Sequence, residues 1–288
     1  MHFTQAKGIL SSYNSMNMYR GCTHGCIYCD SRSKCYNFTH DFEDIEVKIN
    51  APQLLEKALI TKRNKCMIGT GAMCDPYLHY EKDLMITRKC LKIIDHYGFG
   101  VAIQTKSDMI LRDIDILASI NEKVKCVVQM TLTTYDEKLC KILEPNVCTT
   151  KKRYEVLKVL QENKIPTVVW MTPILPYIND NESNIRGVLE YCFDADVKGI
   201  INFNMGTTMR EGDREYFYKA LDDNFPGIKQ KYINRYGYSY ECISDNNDHL
   251  MEIFRNECES HNVMHNLSLI FSYMNEIPTK NTQISFFQ

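Results

Sequence analysis

Six apolar runs, separated by amphipathic segments of helix length, constrain this chain more than any other feature. The runs are 17–20, 65–70, 100–105, 125–133, 165–172 and 198–204. Several are rich in Val, Ile and Thr and apolar on both faces, as strands covered on both sides are. Between them, 51–63 places Leu54, Leu55, Ala58 and Leu59 on one face, and 83–97 repeats Leu84, Met85, Leu91 and Ile94. Segments 108–120, 151–163, 181–193 and 213–221 follow the same spacing. Strand then helix, six times over, predicts a parallel α/β chain. Six units fit a partial (β/α)6 TIM-like barrel better than a closed eight-fold one, with a doubly wound sheet as the alternative. In either architecture ligands sit at the C-terminal ends of the strands. That points to 21–30, 69–77, 106–107, 131–134, 173–180 and 204–208.

After residue 222 the pattern changes. Phe225-Pro226-Gly227 reads as a turn, a stretch with Tyr232, Tyr236, Tyr238 and Tyr240 follows, and 247–261 reads as one amphipathic helix. The expected division is a core barrel at 1–222, a small C-terminal helical extension packed on it at 223–277, and a free tail at 278–288. The absence of an 18-residue apolar run predicts no transmembrane helix. The first residues lack the apolar stretch of a secretion signal, so a cytoplasmic protein is expected. A formal net charge of −2 excludes a generic polyanion binder. Arg20, Arg32, Lys34, Lys151, Lys152 and Arg153 are the candidates for a local basic stripe.

Thirteen cysteines in 288 residues are many for a chain without a secretion signal. A disulfide framework is a poor reading there, and a metal or cluster site a better one. Cys22, Cys26 and Cys29 form C-x3-C-x2-C within Arg20-Gly21-Cys22-Thr23-His24-Gly25-Cys26-Ile27-Tyr28-Cys29. Three thiolates in one short loop can hold three irons of a cubane [4Fe-4S] cluster and leave the fourth open. An open iron can bind the amino and carboxylate groups of S-adenosylmethionine. Electron transfer then cleaves the sulfonium to methionine and a 5′-deoxyadenosyl radical. The competing reading is a zinc knuckle with Cys35 or His24 as fourth ligand, although no second C-x2-C is present. Gly21 and Gly25 would let the loop turn tightly.

This loop, at the end of a first strand in a six-unit α/β chain, resembles the signature of radical S-adenosylmethionine enzymes. The longer string from Met18 to Arg32 is similar to the spore photoproduct lyase-like branch, also described as DNA repair photolyase-like. Gly71-Ala72-Met73-Cys74-Asp75-Pro76-Tyr77, Thr105-Lys106-Ser107, Glu144-Pro145-Asn146 and Pro173-Ile174-Leu175-Pro176 fit the same branch. The resemblance implies a [4Fe-4S] cluster on Cys22, Cys26 and Cys29, with S-adenosylmethionine as cofactor. It implies an adenine contact from the Tyr28 backbone and a methionyl amino contact from the loop Gly69, Gly71, Cys74 and Asp75. It implies a cofactor contact from Lys106, whose charge suits the methionyl carboxylate, and ribose contacts from Thr131, Thr133 and Thr134. Asn179 and Asp180 would face substrate or cap the helix near Glu182. In this branch a cysteine after the second strand donates a hydrogen atom. Here that place falls on Ala72, and Cys74, two residues along, is the candidate donor.

The reductant would be a flavodoxin or ferredoxin, and the reaction that of a lyase acting in DNA lesion repair. The alternatives are a radical enzyme on RNA, a nucleobase or a peptide, and a non-catalytic metal-binding module. Gln283, Ile284, Ser285, Phe286 and Phe287 resemble the short peptide by which bacterial repair proteins bind the DNA sliding clamp. The remaining cysteines, Cys66, Cys90, Cys126, Cys140, Cys148, Cys192, Cys242 and Cys258, read as packing.

Overall fold

The computed structural model describes residues 1–277. The chain opens with short strands β1 (His2–Thr4), β2 (Ser15–Met16), β3 (Tyr19–Arg20) and β4 (Glu46–Lys48), then helix α1 (Ala51–Thr61). Next come β5 (Met67–Thr70), α2 (Glu81–Leu84), α3 (Ile86–His96), β6 (Gly100–Thr105), α4 (Ile114–Lys123) and β7 (Cys126–Thr131). They are followed by α5 (Glu137–Leu143), α6 (Thr150–Glu162), β8 (Thr167–Trp170), α7 (Glu182–Asp194) and β9 (Gly199–Ile201). The last elements are β10 (Gly206–Thr208), α8 (Asp213–Asn224), α9 (Ile228–Tyr236), β11 (Glu241–Ile243), α10 (Asn247–Ser260) and α11 (Leu267–Asn275).

Six strands pair in parallel in the order β2-β5-β6-β7-β8-β9. Neighbours in space are neighbours in sequence, with helices between them. This is the partial (β/α)6 barrel that the alternation predicts, and the strand order excludes a doubly wound sheet. Because side chains alternate along a strand, each strand sends one set outward to the helices and one into the barrel. Ile68, Val101, Ile103, Val128 and Val169 join the main core. Met67, Ala102, Val127, Val168 and Ile201 cluster with Ile270 and Met274 of α11. Helix α11 therefore closes the N-terminal end of the barrel, leaving the C-terminal end for ligands.

Three expectations are corrected. The first strand is not 17–20. Only Ser15 and Met16 pair with β5, while β3 pairs antiparallel with β4 in a separate sheet of order β1-β4-β3. The helix expected over 83–97 breaks at Met85, which is left-handed at φ 55°. The buried Glu81 carboxylate accepts the amides of Ile86 (3.0 Å) and Thr87 (3.1 Å) and so starts α3 anew. The segment expected as one helix over 108–120 begins as a 3-10 turn, Asp108–Asp113, before α4.

Helix α10 packs on α7 and buries Leu250, Ile253, Phe254 and Cys258 in the main core, so it serves as the sixth barrel helix. The segment 206–243 is an insertion with its own core, including Phe217, Leu221, Tyr232 and Cys242, which packs against Ile27, Leu143 and Leu175. Among the described residues no helix is long and apolar enough to cross a membrane. Gln283, Ile284, Ser285, Phe286 and Phe287 lie outside the described residues.

Candidate active site

The loop after β3 turns away from its sheet at Gly21, in the left-handed region at φ 88°. A Cβ there would lie 2.4 Å from the Phe42 carbonyl oxygen, the same oxygen that accepts the Cys22 amide at 3.0 Å. The Glu144-Pro145-Asn146 segment holds the far side of the loop. Asn146 Nδ2 donates to the Thr23 carbonyl at 2.9 Å, the Asn146 amide to His24, and the Ile27 amide to Leu143. The loop is thus fixed by backbone groups at both ends, and its three thiols face one cavity of about 100 Å³.

Cys26 is buried, and Cys22 and Cys29 are half-buried. Burial, with the neighbouring Cys29, pushes the Cys22 thiol up to about 12, and burial pushes Cys26 well above the ordinary thiol range. These thiols ionise only against a bound cation. Zn–S bonds of about 2.3 Å in a tetrahedron set sulfurs about 3.8 Å apart. Among the described residues, Cys22, Cys26 and Cys29 do not present ligand atoms all within 4.8 Å of one another. Three thiols facing one cavity can hold three corners of a cubane. Neither proposed zinc partner completes a tetrahedron. Cys35 is exposed beside Arg210, and His24 Nδ1 lies 3.6 Å from the Asp75 carboxylate.

Tyr28, Gly71, Cys74, Asp75, Lys106 and Thr131 line the same cavity as the thiols. Gly71, at φ 101°, lets β5 hand over to the loop where a Cβ would sit 2.0 Å from the Gln104 carbonyl oxygen. Gly71→Ala is therefore expected to displace this loop and lower S-adenosylmethionine affinity at least about tenfold, read by equilibrium dialysis with iron content unchanged. The Asp75 carboxylate accepts the Tyr77 amide (2.8 Å), the Thr105 hydroxyl (2.8 Å) and the Lys106 amide (2.7 Å). With those bonds made, Asp75 joins the ends of β5 and β6.

The Lys106 ammonium makes no hydrogen bond among the described residues and lies 5.9 Å from the centre of the Tyr28 ring. Burial alone would lower its pKa, but Cys26 and Glu144 raise it above the ordinary lysine range. It stays a cation in the cavity. Thr131 Oγ1 is buried and has no partner among the described residues. A buried hydroxyl left open at a cavity wall is suited to a polar ligand.

Three residues expected at the cofactor, Gly69, Thr133 and Thr134, do not line this cavity. Gly69 lies within β5, paired with Ser15 and Ala102, and does not line the cavity. Thr133 is buried; its carbonyl accepts Asn179 Nδ2 and Asn184 Nδ2, each at 2.9 Å, and its hydroxyl meets Thr134. Asn179 is spent on this joint, its Oδ1 accepting the Leu175 amide, and the Ser244 hydroxyl donates to Asp180. The helix cap falls to Asn181, which accepts the Asn184 amide at 3.0 Å. The Cys74 thiol donates to the Gly21 carbonyl and so braces the loop.

Sequence reasoning reached the segments 173–180 and 204–208 of the larger half of the site but not its aromatic wall. A second cavity of about 550 Å³ opens beside the first and shares Tyr28, Ala72, Gln104, Lys106 and Thr131 with it. Its far wall carries Trp170, Phe203, Asn204, Thr207 and Tyr240. Phe203 is 50% exposed, and Trp170 donates from Nε1 to Gln129 at 2.8 Å. Strand alternation could have found Gln104, Gln129 and Trp170, which share the inward register of their strands. The antiparallel pair β10–β11, with α8 and α9 between its strands, has no periodicity long enough to read.

The expected basic stripe does not form. Arg153 is fully buried against Glu144, Lys34 pairs with Glu211, Lys152 with Glu155 and Arg32 with Glu43. Arg20 donates to the carbonyls of Tyr36 and Asn37.

A family model described as the Radical SAM superfamily matches residues 16–187. An uncharacterized protein of Methanocaldococcus jannaschii is 31% identical over 232 residues, covering 80% of this chain and 79% of that protein. An uncharacterized protein of Mycobacterium tuberculosis strain H37Rv is 24% identical over 235 residues, covering 77% of this chain and 66% of its own length. Among solved structures, a mutant spore photoproduct lyase with bound AdoMet and dinucleoside spore photoproduct has a similar fold. Its TM-score is 0.60 at 13% identity, covering 85% of this chain and 72% of that one.

Proposed function

The chain belongs to the Radical SAM superfamily, whose members use a [4Fe-4S] cluster and S-adenosylmethionine, and on that premise we propose that it acts on a nucleobase-containing substrate, a DNA lesion of the type spore photoproduct lyase takes. The observation that carries this reading is the 550 Å³ cavity continuous with the cluster loop and walled by Trp170, Phe203 and the amides of Gln104 and Asn204. Aromatic faces hold planar bases, and amides and hydroxyls reach their edges. The similar fold of spore photoproduct lyase supports it.

In this proposal Cys22, Cys26 and Cys29 hold the cluster. A cluster held there would supply the electron for reductive cleavage of S-adenosylmethionine. Lys106 would offer its charge to the methionyl carboxylate, Thr131 its hydroxyl to the ribose, and Tyr28 its backbone to the adenine. Trp170 and Phe203 orient the base and exclude water from the reacting face. Cys74 keeps its proton, because burial holds its thiol well above the ordinary range. It lines the cavity while its thiol donates to the Gly21 carbonyl, so it braces the loop and stays the candidate hydrogen-atom donor. The paired basic groups favour recognition through the base over the backbone, so salt dependence is expected to be shallow. A tail that binds the sliding clamp would suit such an enzyme.

The test is product analysis with reconstituted protein, S-adenosylmethionine and reduced flavodoxin. Ultraviolet-damaged DNA is expected to raise 5′-deoxyadenosine formation over undamaged DNA. Phe203→Ala is expected to remove roughly 5- to 150-fold of substrate affinity, the worth of one stacked base, while uncoupled cleavage and iron content hold. No response to damaged DNA, with a response to RNA or peptide, would replace this substrate class.

A further inference from the structure

The N-terminal sheet brings together two imidazoles and a carboxylate that the site above does not use. His2 stands on β1 directly opposite Glu46 on β4, and His40 lies on the loop before β4. One ligand atom from each of His2, His40 and Glu46 lies within 4.8 Å of the other two. Among the described residues, no other group of three His, Cys, Asp or Glu side chains meets that condition.

The hydrogen bonds around the three are those that metal ligands make. His40 Nδ1 lies 2.9 Å from the Asp41 carbonyl, so it carries the proton and Nε2 is left with a lone pair. His2 Nδ1 lies 2.9 Å from the Asp44 carboxylate, which leaves the same nitrogen free. The Thr4 hydroxyl donates to Glu46 Oε1 at 3.2 Å. Each candidate ligand thus has an outer partner that sets its orientation. His40 Nε2 is buried with no hydrogen-bond partner among the described residues. It is 3.8 Å from Glu46 Oε2, too far for a hydrogen bond. A simple His–Glu pair would have closed that gap.

We propose that His2, His40 and Glu46 bind a divalent transition-metal ion of the zinc class, separate from the cluster. Two imidazole nitrogens with one carboxylate suit Zn2+ and its first-row neighbours over Mg2+ and Ca2+, which take oxygen shells. Ligands at about 2.0–2.1 Å in a tetrahedron stand about 3.4 Å apart, so a small side-chain rotation closes the site. Three protein ligands leave the fourth position to water. The ion ties β1 and the loop before β4 to β4 itself. The other edge of β4 pairs with β3, Arg20 opposite Glu46, two residues before Cys22. The same loop supplies the Phe42 carbonyl that holds the Cys22 amide. The ion therefore braces the segment that presents the first cluster thiol.

The test uses reconstituted holoprotein without a polyhistidine tag, dialysed against Zn2+, with zinc and iron counted together. Wild type is expected to hold one zinc per chain beyond its cluster iron. His40→Gln and Glu46→Gln are each expected to weaken zinc binding by about tenfold or more with iron unchanged. Added Zn2+ should raise the unfolding temperature of wild type only. Absence of zinc from wild type, or equal zinc in wild type and both variants, overturns the proposal. Zinc lost in Cys26→Ala but retained in the histidine and glutamate variants assigns the ion to thiols and also overturns it. Should His40→Gln fail to fold, His2→Gln, at the more exposed edge of the sheet, reads the same outcome.

Discussion

Cys26→Ala is expected to abolish both iron–sulfur binding and S-adenosylmethionine cleavage. Of the three thiols Cys26 is the most buried, held between the Ile27 amide bond to Leu143 and the chain reversal in which the Cys29 amide returns to the Cys26 carbonyl at 3.3 Å. Two thiols cannot replace three, because no other cysteine among the described residues both lines the cavity and has a free sulfur. Cys74 does line it, but its thiol is committed to the Gly21 carbonyl. The substitution removes one sulfur from a packed position and should cost only about 1 kcal/mol of stability. Loss of activity would therefore not be loss of fold. Iron and sulfide counts should fall to background, 5′-deoxyadenosine should be absent, and the far-ultraviolet dichroism should be unchanged. A variant that keeps full iron would place the cluster elsewhere. A wild-type protein that binds iron yet forms no 5′-deoxyadenosine under any reductant would return the chain to a non-catalytic module.

The barrel was legible because buried parallel strands and their covering helices each leave a periodic trace. β5 to β9 fall inside five of the expected runs. The first barrel strand was not, because Ser15 and Met16 make a two-residue contact while the more strand-like Tyr19 and Arg20 pair elsewhere. Neither β1 nor β4 is long enough to alternate. Helix α9 is polar apart from Ile228, Tyr232, Ile233 and Tyr236, too sparse a pattern to announce a helix. The break between α2 and α3 depends on a buried glutamate six residues from an amide it caps, a contact that no local spacing announces.

The site divides along the same line. Cys22, Cys26, Cys29, Tyr28 and Lys106, each in a short motif just after a strand, line one cavity. Gly69 and Thr133 followed the same rule and missed the cavity. One sits a step too early on its strand, and the other is taken up by a joint between loops. Trp170 and Phe203 belong to the same inward register as Gln104 and Gln129, but an aromatic in a strand is first a packing residue. Only the open cavity beside them distinguishes the two roles. Lys151, Lys152 and Arg153 looked like one basic stripe, yet helical spacing turns Arg153 inward while its neighbours stay in solvent.

That inward arginine sets the second large effect: Glu144→Gln is expected to destabilise the protein by about 3–5 kcal/mol. Glu144 and Arg153 are both almost wholly buried. Glu144 accepts the Arg153 guanidinium and the Tyr28 hydroxyl, and Arg153 donates onward to the Thr131 carbonyl (2.6 Å) and the Cys148 carbonyl (3.0 Å). One ion pair therefore joins the cluster loop to the end of β7. Burial alone would raise the Glu144 carboxyl; Arg153 and then Lys106 reverse this and hold it below the ordinary range. The amide keeps the shape but leaves the guanidinium buried without a counter-charge. For a chain of this size the loss should lower the unfolding temperature by roughly 6–10 °C. Arg153→Met on the Glu144→Gln background should recover part of it, since a neutral buried pair carries no unpaired charge. The pH dependence separates charge from packing. A carboxyl whose folded pKa is depressed contributes stability above its unfolded value, and that contribution is lost as pH falls through the folded one. The gap between wild type and variant should therefore be full at neutral pH and close in acid, below the ordinary glutamate value of 4.5. A gap that stays constant into that range would mean that the amide variant fails by packing, and that Arg153 is not held by charge.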